Sequence, residues 1–136
     1  MGTGIIVDAD VIIRGEKGSF EFREWCASRT DDVFAVAAIT VAELWHGVER
    51  ATVAHRARRK RYLQAIFSVL PVLVYSDRTA YVHAKIWAQL QATGRMIGYY
   101  DLLVAATALE LDYEVATFNT QHFESVPGLK IIRPVV

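Results

Sequence analysis

Short apolar runs of strand length alternate along this chain with longer stretches whose apolar residues recur at helical spacing. Ile5 to Val7 is the first run; after a gap rich in glycine and charge, Phe20 to Ser28 reads as a helix with Phe22 and Trp25 on one side. Val33 to Ile39 is the second run. Thr40 then opens a helix with a capping-box pattern, Thr40-x-x-Glu43, ahead of Leu44, Trp45 and Val48, which predicts Glu43 in the first turn. A further helix is expected from about Ala54 to Phe67, stopped by Pro71, and Val72 to Tyr75 reads as a strand.

Ser76-Asp77 caps the next predicted helix, in which Val82, Ile86 and Leu90 form a stripe beside Ala80, Ala84 and Ala88, ended by Gly94. Leu102 to Leu111 is apolar almost all round, the signature of a helix buried on several sides, and Asp101 heads it. Tyr113 to Phe118 and Lys130 to Ile132 read as the last strands, before Pro134. Strands separated by helices imply a parallel sheet covered on both faces. Helices of such sheets begin near the carboxyl ends of strands, so Asp8, Glu43, Asp101 and Asn119 are expected to project toward one edge, where ligands bind.

Length and composition narrow the class. A chain of 136 residues fits one domain, residues 1–136, and buries roughly two thirds of its unfolded surface without help from disulfides or a structural metal. Cys26 has no partner within the chain, which excludes an internal disulfide and a cysteine-rich zinc site and points to a reducing cytoplasm. The amino-terminal stretch lacks a basic segment and is interrupted by Asp8 and Asp10, and no apolar run reaches the length of about 20 residues that spans a bilayer. A soluble protein that is not exported and does not enter a membrane is expected. Charge balances at zero, yet six of the 15 basic residues fall between Arg50 and Arg61, a stretch without an acid. That segment is either a solvated helix face or a contact for a polyanion or partner, with Arg56, Arg58, Arg59, Lys60 and Arg61 as the candidate contacts.

The chemistry lies in the scattered acids. Asp8 could shape a turn, Glu43 close a capping box, Asp101 oppose a helix dipole and Asn119 form an Asx-turn. Together they resist that explanation, because carboxylates about 4 Å apart repel by roughly 4 kcal/mol per pair at an effective dielectric of 20. Hard carboxylate and amide oxygens suit Mg²⁺ or Mn²⁺ rather than zinc, and such an ion supports phosphodiester hydrolysis by activating water and neutralising charge at phosphorus. The histidines His46, His55, His83 and His122 show no ligand spacing and read as surface or packing residues. Trp25, Trp45, Trp87 and the tyrosines read as core aromatics, with Tyr99 and Tyr100, beside Asp101, as candidate exceptions that stack on bases.

Four ordered segments, IIVDADVII, ITVAELWHGVERA, YYDLLVAATALEL and VATFNTQHFESVPGL, resemble the signature blocks of PIN-domain ribonucleases, and most of all the VapC-type toxins. The resemblance spans nearly the whole chain. It implies an α/β/α sandwich with a mainly parallel sheet, frequently a homodimer, that cleaves RNA in the cytoplasm. A cognate VapB-type antitoxin whose carboxyl-terminal segment occupies the groove is implied as the inhibitor. Carried over block by block, it implies Asp8, Glu43 and Asp101 as ligands of Mg²⁺ or Mn²⁺, Asn119 at the fourth, often acidic, position, and Asp10 and Thr117 in support. Asn119 departs from the commonest pattern by supplying a neutral oxygen, which bears on whether a second metal binds.

Two alternatives compete. Asp8-Ala9-Asp10-Val11 after an apolar strand resembles the first motif of haloacid-dehalogenase-type phosphatases, although the late lysine and acidic pair of those enzymes find only Lys130 in a closing strand. The other alternative is a PIN-like module without catalysis that acts through an antitoxin complex on operator DNA.

Overall fold

The computed structural model describes residues 2–135. Its elements are β1 (Gly4–Val7), α1 (Ala9–Lys17), α2 (Phe22–Ala27), β2 (Val33–Ala37), α3 (Ala38–Arg50), α4 (Val53–Phe67), β3 (Val72–Leu73), α5 (Asp77–Thr93), α6 (Tyr99–Leu111), β4 (Glu114–Ala116) and β5 (Ile131–Ile132). The five strands form one sheet in the order β3-β2-β1-β4-β5, and every pairing is parallel. Ile5 of β1 sits between Phe34 of β2 and Glu114 of β4.

Because successive side chains of a strand point to opposite faces, the sheet separates two cores. Ile5, Val7, Val36 and Ala116 face one, packing against Val11 and Ile12 of α1, Trp25 of α2, Leu44 and Val48 of α3, and Leu63 and Ile66 of α4. Ile6, Ala37 and Val115 face the other, against Ile86 and Leu90 of α5 and Leu102, Ala105 and Ala106 of α6. Helices therefore cover both faces, as the alternation of runs predicts. The all-round apolar character of α6 has the same cause, since Leu102 and residues 104–108 are buried on that helix.

The gap after the first strand holds a helix that the pattern does not predict. Within α1, Gly15 replaces an apolar residue where the neighbours come closest: a Cβ there would meet the Tyr62 hydroxyl at 2.7 Å and Phe22 Cβ at 3.0 Å. Gly18, with φ 78°, ends the helix in the left-handed region that glycine tolerates. Glycine reads as a break in the sequence and acts here as a packing and capping device. The following helix is shorter than expected, beginning at Phe22 rather than Phe20.

The Thr40 capping box is not formed. Helix α3 starts directly from the strand at Ala38, its cap residue Ala37 contributes no side-chain hydrogen bond, and Glu43 falls in the second turn. The strand-to-helix corner is made by buried backbone rather than by a polar cap. Thr40 is 0% exposed, and its hydroxyl is the buried side-chain polar atom without a partner among the described residues. Thr40→Val keeps the shape and removes that unsatisfied group, so it is expected to stabilise the fold by about 1 kcal/mol, read as a higher melting temperature. A lower one would show that the hydroxyl is satisfied in solution.

The Ser76 cap is realised as a reciprocal box with Thr79, and Gly94 closes α5 with φ 68°. The third strand keeps only Val72 and Leu73 of the predicted run, leaving Val74 and Tyr75 exposed. Trp25 is core, Trp45 is partly buried against it, and Trp87, at 38% exposed, is not a core residue; its indole stacks on His83.

Candidate active site

The sheet order creates the crevice. The chain steps outward from the central β1 through β2 to β3, then returns to the other side of β1 as β4 and β5. Loops beyond the carboxyl ends of strands diverge at such a reversal, and ligands bind there. Asp8 stands directly after β1, α3 begins directly after β2, Thr117 follows β4, and Asp101 lies in the first turn of α6. A cleft of about 530 Å³ is lined by Asp8, Asp10, Glu43, Asp101 and Asn119 together with Tyr99, Tyr100 and His122. Four segments remote in sequence converge as expected, and among the described residues no lysine or arginine lines the cleft.

Hydrogen bonds fix the acids on the β1 side. Asp8 is 7% exposed; its Oδ1 accepts from the Ala9 N–H and its Oδ2 from the Thr117 hydroxyl, each at 2.9 Å. Asp10 Oδ2 accepts from the Phe118 N–H at 3.0 Å, and the Asn119 N–H donates to Thr117 Oγ1 at 3.0 Å. Asp10 and Thr117 thus knit the start of α1 to the segment after β4 and hold Asp8 and Asn119 at one place.

The electrostatics follow from crowding in a partly dry site. Burial first, and then the charge of Asp10, push the Asp8 carboxyl up to about 6, against the opposing Thr117 and Ala9 hydrogen bonds. Burial, and then the charges of Asp8 and Asp101, push Glu43 up to about 7. Asp101 is raised by burial, an effect that the neighbouring His122 opposes. Carboxylates raised together by burial and by neighbouring charge in one cleft mark a candidate functional site. By contrast, burial alone pushes the Cys26 thiol up to about 11, which makes it an unreactive packing residue.

His122 belongs to this site, contrary to its reading as a surface or packing residue. Its Nδ1 donates to Asp101 Oδ2 at 3.1 Å, and its ring lines the cleft. A one-turn 3₁₀ helix, Thr120–His122, places it there. No local spacing announced it, because Asn119, just before that turn, is not helical (φ −96°, ψ 59°), and the bond to Asp101 joins segments 21 residues apart. Tyr99 and Tyr100, the candidate exceptions among the aromatics, are 73% and 54% exposed at the cleft.

The basic segment goes elsewhere. Arg56 donates to the carbonyls of Glu49 and Ala51, closing the end of α3, while Arg59 bonds the Gly47 carbonyl and pairs with Glu16. Arg58 bonds His55, and Lys60 and Arg61 are exposed. None of the five lines the cleft. The phosphatase alternative fares no better: Lys130 precedes β5 and is absent from the cleft.

The donor set fits a hard divalent cation in kind, with three mutually repelling carboxylates and the neutral amide of Asn119. Among the described residues, however, no three histidine, cysteine or acidic side chains are gathered at ion-holding distance. Both oxygens of Asp8 and the Oδ2 of Asp101 accept from protein donors instead.

A family model described as PIN domain matches residues 5–129. The chain belongs to the PIN-domain family. Among curated proteins this PIN domain is similar to Ribonuclease VapC of Rickettsia bellii, at 32% identity over 130 residues and 95% of each chain. It is also similar to Ribonuclease VapC10 of Mycobacterium tuberculosis, at 33% identity over 93% of this chain and 90% of that one. Among solved structures, VapBC bound to DNA from Salmonella typhimurium superposes with a TM-score of 0.86 at 28% identity, covering 97% of this chain and 98% of the other. VapBC2 of Rickettsia felis, bound to a fragment of its promoter, reaches a TM-score of 0.90 over 98% and 100% of the two chains; at 18% identity that likeness speaks to the fold, an α/β sandwich. None of the helices described in this PIN domain is long and apolar enough to cross a membrane.

Proposed function

We propose that this PIN domain is a cytoplasmic, metal-dependent endoribonuclease, the toxin of a toxin-antitoxin pair whose partner is a VapB-type antitoxin. The observation that carries the reading is the set of carboxylates Asp8, Glu43 and Asp101, which share one cleft, are each raised above the ordinary carboxylate value chiefly by burial, and meet no lysine or arginine there among the described residues. The ribonuclease names of the relatives and the antitoxin-bound state of the similar structures support it.

Asp8, Glu43 and Asp101 would hold Mg²⁺ or Mn²⁺, which when bound supplies Lewis acidity toward water and phosphate oxygens. The chain's own residues prepare that chemistry. Thr117 and the Ala9 N–H fix both oxygens of Asp8, Asp10 ties the β1 corner to Phe118, and His122 orients Asp101. Exposed Tyr99 and Tyr100 offer apolar faces to bases beside the scissile bond.

The test is incubation of the purified chain with total cellular RNA and Mg²⁺ or Mn²⁺, followed by mapping of new 5′ ends. Discrete ends that vanish with chelator are expected; intact RNA under both ions, with no growth arrest on induction, would overturn the reading. Asn119→Asp adds a charge to the cleft, and tighter Mg²⁺ binding is expected by calorimetry, by roughly 1 kcal/mol at a screened separation of several ångström. Unchanged or weaker binding would place Asn119 outside the ion's reach.

A further inference from the structure

A cleft lined by four carboxylates repels the polyanion that the proposed reaction requires it to admit. Cations must therefore stand near it, and the basic segment of α4 is absent from its lining. Two arginines meet that requirement at the same edge of the sheet. Arg14 lies one helical turn beyond Asp10 on α1, next to the cleft residue Ile13, and Arg133 immediately follows β5. Both guanidinium groups sit over the ring of Phe118, at 4.2 and 5.3 Å from its centroid. Phe118 in turn directly precedes the cleft residue Asn119, and its N–H holds Asp10.

The ring is a fixed platform. Phe20 meets it edge-on at 5.1 Å, and Arg133 donates to the Phe118 carbonyl at 2.6 Å. Stacking on an aromatic face holds each guanidinium with little further loss of freedom and leaves its N–H edge available. Both arginines are exposed, and neither is in an ion pair among the described residues. Arg14 spends none of its side-chain donors there, and Arg133 spends only the one on Phe118. Two unpaired like charges on one ring attract an anion between or across them, and the planar fork of arginine matches a phosphate.

We propose that Arg14 and Arg133, mounted on Phe118, form a phosphodiester clamp at the rim of the acidic cleft that grips the RNA backbone beside the bond to be cut. The clamp rests on the ribonuclease reading, with a binding measurement that stands apart from cleavage. Phosphate contacts give affinity and register but no sequence information, so the clamp sets how tightly a strand is held and not which strand is chosen.

The experiment measures fluorescence anisotropy of a labelled single-stranded RNA in EDTA across a salt series, beside cleavage kinetics in Mg²⁺. The double variant Arg14→Gln, Arg133→Gln is expected to bind about tenfold more weakly, with a salt slope smaller by about 0.7 for each phosphate no longer gripped. Its KM should rise by a similar factor while kcat stays within about twofold. Arg14→Lys, Arg133→Lys retains the charge and is expected to recover most of the slope, which a mere weakening of the packing on Phe118 would not allow. Arg58→Gln, Arg61→Gln on α4 should leave both readouts unchanged. An unaltered slope and KM in the glutamine variant, in a chain that cleaves RNA normally, would overturn the clamp and leave the nuclease standing. Loss of polyglutamate binding with RNA binding intact would also overturn it, in favour of an acidic protein segment. A reduced slope in a chain that never cleaves RNA would support the clamp and remove the nuclease.

Discussion

Asp8→Asn is expected to lower RNA cleavage roughly a thousandfold, about 4 kcal/mol of transition-state stabilisation, while the chain stays folded. The reason lies in what asparagine can and cannot keep. Its carbonyl oxygen still accepts from the Ala9 N–H, and its amide donates to Thr117, whose hydroxyl turns to accept and directs its own proton to Asp10, 3.4 Å away. The lost element is the negative charge at the carboxyl end of the central strand, where a cation would be held. Steady-state cleavage of a labelled RNA and thermal melting separate the two effects. Cleavage within about tenfold of the parent would remove Asp8 from the chemistry; a collapsed melting curve would show that the charge is needed for the fold.

The same acids make stability depend on pH in the unusual direction. Asp8 rises from an ordinary 3.8 to about 6 and Glu43 from 4.5 to about 7, so the folded chain binds protons more tightly than the unfolded one between about pH 4 and 7. Stability then falls as pH rises through that window, because the slope follows the difference in bound protons between unfolded and folded chain. Metal-free protein is expected to melt several degrees higher at pH 5 than at pH 8. Saturating Mg²⁺ should erase most of that difference, raising the melting temperature at pH 8 far more than at pH 5, where protons already neutralise the cleft. Equal Mg²⁺ effects at both values would mean that the ion binds elsewhere, and a melting temperature that climbs from pH 5 to 8 would contradict the crowding itself.

Much of this molecule is written in its apolar spacing. The runs at Ile5, Val33, Val72 and Val115 become parallel strands, and the all-round apolar stretch at Leu102 becomes the helix buried under one face, because both depend on periodicity that a single sequence displays. Features that depend on close approach between remote segments were hidden. Gly15 reads as a break until Tyr62 and Phe22 are brought against it, and Thr40 reads as a cap until the chain turns directly from strand to helix at Ala38. The site divides the same way. Asp8 and Asn119 could be placed from strand ends and Glu43 and Asp101 from helix starts, whereas the pairing of His122 with Asp101 and the stacking of Arg14 and Arg133 on Phe118 are tertiary facts. Local charge density pointed to Arg56 and Arg59, whose guanidinium groups tie α4 to α3 and α1, away from the cleft.

The bond between Thr117 and Asp8 joins residues separated by 109 positions, across the two strands at the centre of the sheet. A ribosome making this chain therefore carries Asp8, Glu43 and Asp101 without the segment that fixes the first of them, until the stretch through His122 has left the exit tunnel. Until that segment docks, Asp8 lacks its bond to Thr117, and a chain cut short before it would leave the acids without the partner that fixes Asp8.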